Sequence, residues 1–363
     1  MKNLNVLIYA VLVLAVTFII IYFLLSRETD SFSDDQDLNG KSDSIEAVDH
    51  KGDRDWKRVN WKEYELKSEI QDSVFTPIFI TQHNGNIFIT DHDLPGIVQF
   101  DYSGKFKKNF GQGRGEGPAQ FLSPTVITFE DNRAIVSDTY KMDIQEFSID
   151  TGELVNQIPV EHQKTYLSKV DSKYYTTPAT EENVISIINK EGSREKSFGS
   201  LVENAHEFLM SLGGALEYSK SLNELVYVTN FASFIFYFDP CGEKTRIVRT
   251  LDGIPFQKTH SEDSPDQTTM YAPNPEFRQS NKKIIGDKLY INSVKGRGDP
   301  DVELQSFMDV YSVCGKEYHY SLKLPFGASD FTYLSQSESN GIWYFIDETA
   351  DEIDGVIRAL VKE

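Results

Sequence analysis

A six-bladed β-propeller, a ring of four-stranded antiparallel sheets, is the all-β fold this sequence predicts for residues 56–363, and three observations predict it. Past Trp56 the apolar residues fall in short runs of period two bounded by Gly, Asp, Asn and Ser, with no helical stretch longer than two turns. The segment NIFITDHDLPGIVQFDYSGKF from Asn86 superimposes on AIVSDTYKMDIQEFSIDTGEL from Ala134, which puts Asp91 on Asp138 and Phe100 on Phe147, each pair 47 residues apart. Turn glycines recur at Gly104, Gly152, Gly192, Gly242 and Gly315, and their spacings of 48, 40, 50 and 73 residues are those of propeller blades, the longer ones carrying insertions.

Weaker copies start at Tyr174, Leu225, Lys288 and Ile342, which places the blades at 74–111, 123–160, 165–199, 208–250, 277–325 and 330–363. The sixth copy stops after its third strand, VIRALVKE. The β-prone segment KRVNWKEYELKSEI from Lys57 is therefore expected to supply the missing strand and close the ring, removing the exposed edges of an open array.

Residues 6–25 carry no charge, enough helix to cross a bilayer core of roughly 30 Å. The competing reading, a cleaved signal peptide, usually has a shorter apolar core and a small-residue cleavage site, and none follows Leu25. No cysteine lies near the segment, which excludes a lipoprotein anchor. The expectation is a short cytoplasmic N-terminus at 1–5, a transmembrane signal anchor at 6–25 and an acidic disordered linker at 26–55. From Glu28 to Asp55 that linker holds ten carboxylates against three Lys and Arg. Lys2 inside the cell would place the propeller in the periplasm, held to the inner membrane by one span.

With 36 Lys and Arg against 56 Asp and Glu in 363 residues, a net charge of −20, the chain lacks the basic footprint that nucleic acid requires. Two cysteines cannot build a disulfide framework. Cys241 and Cys314 precede equivalent turn glycines of neighbouring blades, too far apart to bridge, so both are expected to be free thiols.

The run FDYSGKFKKNFGQGRGEGPAQFLSPTVITFEDNRAIVSD resembles an NHL-type repeat, and the whole chain is similar to membrane-anchored six-bladed propeller proteins common in Bacteroidetes. The resemblance implies protein or peptide binding, RNA binding or, in a minority, catalysis; the acidic charge argues against RNA. The enzymes this fold resembles are sugar-lactone hydrolases with an axial divalent metal and peptide-amidating lyases with a zinc site. Neither family's diagnostic residues can be placed on this sequence, so no catalytic residue is assigned.

The GQGRGEGP run at Gly111 lacks the following Lys-Ser or Lys-Thr of a phosphate loop and the spacing of a dinucleotide fingerprint, so it reads as a blade crossover needing positive φ. Asp91, Asp138, Asn230 and Asp347 recur at the ends of second strands and are expected to satisfy loop amides. Loops between second and third strands open on the same face as the blade crossovers, the expected ligand face. There the candidates are His92, Asp93, Lys141, Asp143 and Arg297, with His206 and His260 overhanging from insertions. Asp299, Asp301, Asp351 and Asp354 are the candidate metal ligands, and such oxygen donors would suit Ca²⁺ rather than Zn²⁺; plain surface charge is the alternative. The insertion at 251–275 reads as a flap that could present Phe256, Met270 and Tyr271 as aromatic anchors.

The expected function is a binding or scaffold module for a protein, peptide or glycan. A metal-dependent hydrolase or lyase at the propeller axis is the second reading.

Overall fold

The structure, a computed structural model, describes residues 46–50, 52–64, 70, 73–93, 96–161, 164–178, 181–263, 268–271, 277–295, 305–314, 317–335, 341–347 and 356–362. The N-terminal residues 1–5, the expected anchor at 6–25 and the expected linker up to residue 45 lie outside them. Among the described residues no helix is long and apolar enough to cross a membrane.

Two short strands, β1 (Glu46–Asp49) and β2 (Trp61–Glu63), precede the ring. Blade one is β3–β6 (Pro77–His83, Asn86–Asp91, Gly96–Asp101, Phe106–Phe110) and blade two β7–β10 (Pro124–Glu130, Arg133–Asp138, Asp143–Ser148, Leu154–Pro159). Blade three is β11–β14 (Lys164–Val170, Lys173–Pro178, Asn183–Ile188, Arg194–Ser200) and blade four β15–β18 (Gly214–Ser219, Glu224–Thr229, Phe234–Phe238, Lys244–Arg249). After a hairpin, β19 and β20 (His260–Asp263, Thr268–Tyr271), comes blade five, β21–β24 (Phe277–Ile285, Lys288–Lys295, Gln305–Ser312, Tyr318–Lys323). Blade six is β25–β27 (Ala328–Ser335, Gly341–Asp347, Val356–Lys362) with β2 as its fourth strand. The six first strands lie side by side in the order of the blades, and β25 returns against β3, so the ring is closed.

Side-chain alternation explains why the blades stack. Along β4, Ile87 and Ile89 join an apolar cluster with Ile342, Tyr344 and Ile346 of blade six, whereas Phe88 between them packs with Ile127, Ala134 and Val136 of blade two. A second strand is thus buried on both faces and reads as a continuous apolar run, while the outermost β6, FKKNF, is mostly exposed. Turn glycines Gly104, Gly152, Gly192 and Gly242 all have positive φ. At Gly192 a Cβ would come 2.0 Å from the Pro159 carbonyl oxygen, so no larger residue fits.

The predicted closure is present. β2 pairs antiparallel with β27, and the Trp61 indole donates to the Lys323 carbonyl (2.8 Å) and stands edge-on to Trp343 and Phe345. Residues 46–55 differ from the expected linker. β1 pairs parallel with β18 as a fifth strand of blade four, because that outer edge offers unpaired backbone groups and Val48 reaches the apolar cluster between blades four and five. Farther along, the Arg54 guanidinium bonds Asp309 at 3.0 Å through both Nε and Nη2, bonds Asp252 at 2.5 Å, and lies 4.0 Å over the Phe307 ring. The N-terminal segment therefore straps blades four, five and six.

Candidate functional site

The ends of the second strands are knitted to the blade crossovers by a repeated carboxylate. Asp91 accepts the amides of Phe75 (2.7 Å), Thr76 (2.9 Å) and Asp93 (2.8 Å); Asp138 accepts those of Leu122 (2.6 Å), Ser123 (3.0 Å) and Lys141 (2.9 Å). Both are buried and do what their recurrence predicts. Asn230 departs from this duty, its Oδ1 accepting the Lys282 ammonium (2.5 Å), while buried Asp347 also accepts Arg358 Nε (2.6 Å) within its own blade.

Most of the described candidates on this face are tied into the scaffold or stand apart. Lys141 and Asp143 form a buried ion pair at 3.1 Å, and Lys141 also donates to the carbonyls of Gly117 and Gln120 at 2.9 Å, pinning the glycine-rich crossover. Burial pushes the Asp143 carboxyl above its usual range despite bonds from Gln157 and Lys141. Asp93 accepts the Thr76 hydroxyl at 2.6 Å, which holds its pKa low, and faces His92 at 3.5 Å. His206 is exposed, 3.9 Å from Glu182, and His260 is exposed at the start of β19. Arg297, Asp299, Asp301, Asp351 and Asp354 lie outside the described residues. Among the described residues no three His, Cys, Asp or Glu side chains are placed to hold a metal. Phe256 is not an exposed anchor: it is buried, stacked 5.0 Å from Phe234 and tilted against Phe236, because the insertion folds its apolar residue back onto blade four. Both cysteines are exposed free thiols.

The opposite end of the ring is open. A cavity of about 430 Å³ lies within the first strands of blades two to five and touches Phe79 of blade one; turn residues Lys220, Ser221 and Gly286 form part of its lining. These belong to connections between first and second strands, so the cavity opens away from the predicted ligand face. None of the described sequence candidates lines it.

Its charges converge on the axis. The Lys283 ammonium donates to Thr81 Oγ1 of blade one at 3.3 Å and pairs with Glu217 Oε1 of blade four at 3.3 Å. Blades one and four stand opposite each other in a ring of six, so this ammonium sits close to the axis itself. Glu217 also accepts the Ile284 amide at 2.6 Å, linking blades four and five. Lys169 is paired with Glu130 and Glu146, each at 2.8 Å; burial opposes its charge, yet the two carboxylates outweigh burial and raise its pKa. Lys282 donates to Asn230 and to the Gln279 carbonyl (3.2 Å). Lys220 is exposed at the mouth, near His83, whose pKa is lowered first by burial and further by the Lys220 charge. The lining that is described thus carries four lysines and one carboxylate, on a chain of net charge −20.

Sequence reasoning missed all five. The available signal was charge inside the innermost strands, as in LSKV, GALEYSK and NKKI, where a buried charge is costly without a partner or a cavity.

No family model matches the chain, and no curated protein matches it by sequence. Solved structures do. A Bacteroides fragilis chain named as a candidate exported protein superimposes with a TM-score of 0.58 at 11% identity, covering 88% of this chain and 99% of that one. A member of the DUF4221 family from Bacteroides vulgatus gives 0.57 at 9% identity, covering 84% and 97%. At such identities the likeness shows the fold.

Proposed function

We propose that this chain is an extracytoplasmic binding module, an NHL-type propeller anchored to the inner membrane through residues 6–25, and that its ligand enters the axial cavity. The observation that carries the reading is the Lys283 ammonium, held near the axis between Thr81 and Glu217 inside an open cavity. A volume of about 430 Å³ falls within the range of small-molecule sites, roughly 300–1,000 Å³, and would equally take the end of a peptide or glycan. A protein partner would meet the rim. Export fits the name carried by the similar Bacteroides fragilis chain. A divalent cation on the axis would be repelled by Lys283, which weighs against the axial hydrolase at this end of the channel.

The test is a thermal-shift screen of chemically diverse small molecules, peptides and oligosaccharides on the full chain in detergent, alongside Ser221→Trp, which plugs the mouth. A ligand at 100 times its dissociation constant stabilises the fold by about 2.7 kcal/mol. Compounds that stabilise the wild type and not the plugged variant support the reading; compounds that stabilise both equally place the site elsewhere and defeat it.

A further inference from the structure

We infer a second ligand site, independent of the axial cavity, where the ring closes between blades five and six: a site for a phosphate group built from Lys57, Lys288 and Lys362. Three separate elements supply it. Lys57 lies in the N-terminal strap just before β2, Lys288 opens β22 of blade five, and Lys362 closes β27 of blade six. The Lys57 and Lys288 ammonium groups stand over one ring, 4.8 Å and 5.8 Å from the Tyr320 centroid. Lys362 lies 4.9 Å from the Trp343 ring and 5.7 Å from that of Trp61. Lys57 is exposed and the other two are half-buried, and none of the three ammonium groups has an ion pair or hydrogen bond to a described residue.

On a chain of net charge −20 carboxylates are plentiful, and Arg54, Lys141, Lys169 and Lys283 each have one. Here ammonium groups from three elements face one another instead. Burial first, and then the charges of Lys57 and Lys288, push the Lys362 pKa down to about 8. Like charges held together raise the free energy of the fold, and a bound anion would remove that cost. Contact with aromatic faces is the weaker account: it suits Lys362, but Lys57 and Lys288 share the Tyr320 ring, so each repels the other from it. The donors set the class of ligand. Three ammonium groups act as point charges without the planar fork of arginine, which suits a phosphate monoester, with its three free oxygens and charge of about −1.5 to −2, better than a lone carboxylate. The half-buried rings of Trp61 and Tyr320 suit an organic skeleton carrying that phosphate. A phosphate bonded to all three lysines would also tie the strap to blades five and six and so stabilise ring closure.

Calorimetric titration of the full chain in detergent tests this, with glycerol 3-phosphate as a free phosphate and dihexanoyl phosphatidate as a lipid headgroup. Uncharged glycerol and zwitterionic dihexanoyl phosphatidylcholine are their controls. At least one phosphate is expected to bind roughly tenfold or more tightly than its control, and less tightly as salt is raised. Binding of glycerol 3-phosphate shows that a free phosphate suffices, whereas binding of phosphatidate alone identifies a lipid headgroup. Affinity is expected to fall as pH rises from about 7.5 to 9.5, because Lys362 loses its proton near pH 8 while the phosphate stays doubly charged. Lys288→Gln and Lys362→Gln are each expected to weaken binding about three- to tenfold. Without ligand, the urea midpoint of Lys288→Gln should hold or rise, since repulsion is relieved, a result that misfolding cannot mimic. Phosphate binding should survive in Ser221→Trp, which separates this site from the axial cavity. Binding that is lost in Ser221→Trp, no tighter than the control, or unchanged in both lysine variants would overturn the inference. So would no binding at millimolar concentration, or a Lys288→Gln chain that unfolds in less urea than the wild type, which would make the lysine a structural brace.

Discussion

The two ends of the propeller's central strands are built on different logics. At the crossover end the same carboxylate recurs, and in blades one and two it accepts three backbone amides, two of them at matching positions, Asp91 and Asp138 each closing a crossover onto its own blade. At the other end nothing recurs: Lys169 of blade three, Glu217 and Lys220 of blade four and Lys283 of blade five surround an open cavity without a repeated pattern. A residue that every repeat needs for its own folding will be repeated, whereas a ligand is asymmetric and draws on each blade differently. Recurrence points to structure and singularity to function, and four substitutions sharpen or break that rule.

The largest effect is expected where the rule breaks. Arg54 occurs once, outside the repeats, yet it is structural: it neutralises Asp252 and Asp309, whose side chains are 2% and 1% exposed. Arg54→Ala leaves two buried carboxylates with one partner fewer, and a loss of about 3–5 kcal/mol is expected in urea unfolding. Burial raises the Asp309 pKa even with Arg54 bonded to it. A carboxyl whose folded pKa exceeds its unfolded value is penalised once pH rises above the unfolded pKa, and relieved below it. The gap between variant and wild type should therefore narrow as pH falls from about 7 toward 4. A gap that is small, or constant with pH, would mean the strap is held by β1 and β2 rather than by this ion pair.

Asp138→Ala comes next. It strands three amides of the crossover, each unmet bond costing about 1–3 kcal/mol where water cannot reach, so a total near 3 kcal/mol is expected. Asp91→Ala should fall within about 1 kcal/mol of it, because each carboxylate accepts three amides and two of the three are at matching positions. Neither should alter ligand binding at the far end. Unequal losses would show that matched geometry does not confer matched energy.

How much could be read beforehand follows the same division. Blade positions, turn glycines, β2 as the closing strand and the duty of Asp91 and Asp138 were legible because repetition superimposes equivalent residues. Divergence from the repeat was not: Asn230 holds Lys282, yet looks equivalent to Asp138 in a one-dimensional overlay. β1 was hidden by its polar setting, since four residues of parallel edge pairing leave no periodicity to detect. Lys141 and Asp143 looked like ligand groups because charge in a loop suggests solvent; in the fold they face the glycine-rich crossover and each other. The cavity lysines come from three blades far apart in sequence, and only ring closure brings Lys283 to Thr81, 202 residues away.

The smallest stability effect is expected at the axis, and it bears most directly on the rule. Lys283→Met removes an ion pair in which both side chains are 22% exposed, and such a pair contributes no more than about 1 kcal/mol once solvent screening is counted. Methionine keeps most of the apolar stem, and Glu217 keeps its bond to the Ile284 amide, so the brace between blades four and five survives. The urea midpoint should thus move by less than a third as much as in Asp138→Ala, while the affinity for a ligand of the cavity falls by about tenfold. That combination, a stable fold with a weakened site, is what a binding residue produces. Were Lys283→Met instead to unfold as readily as Asp138→Ala, the ammonium at the axis would be a keystone of the ring, and its singularity would carry no message about ligands.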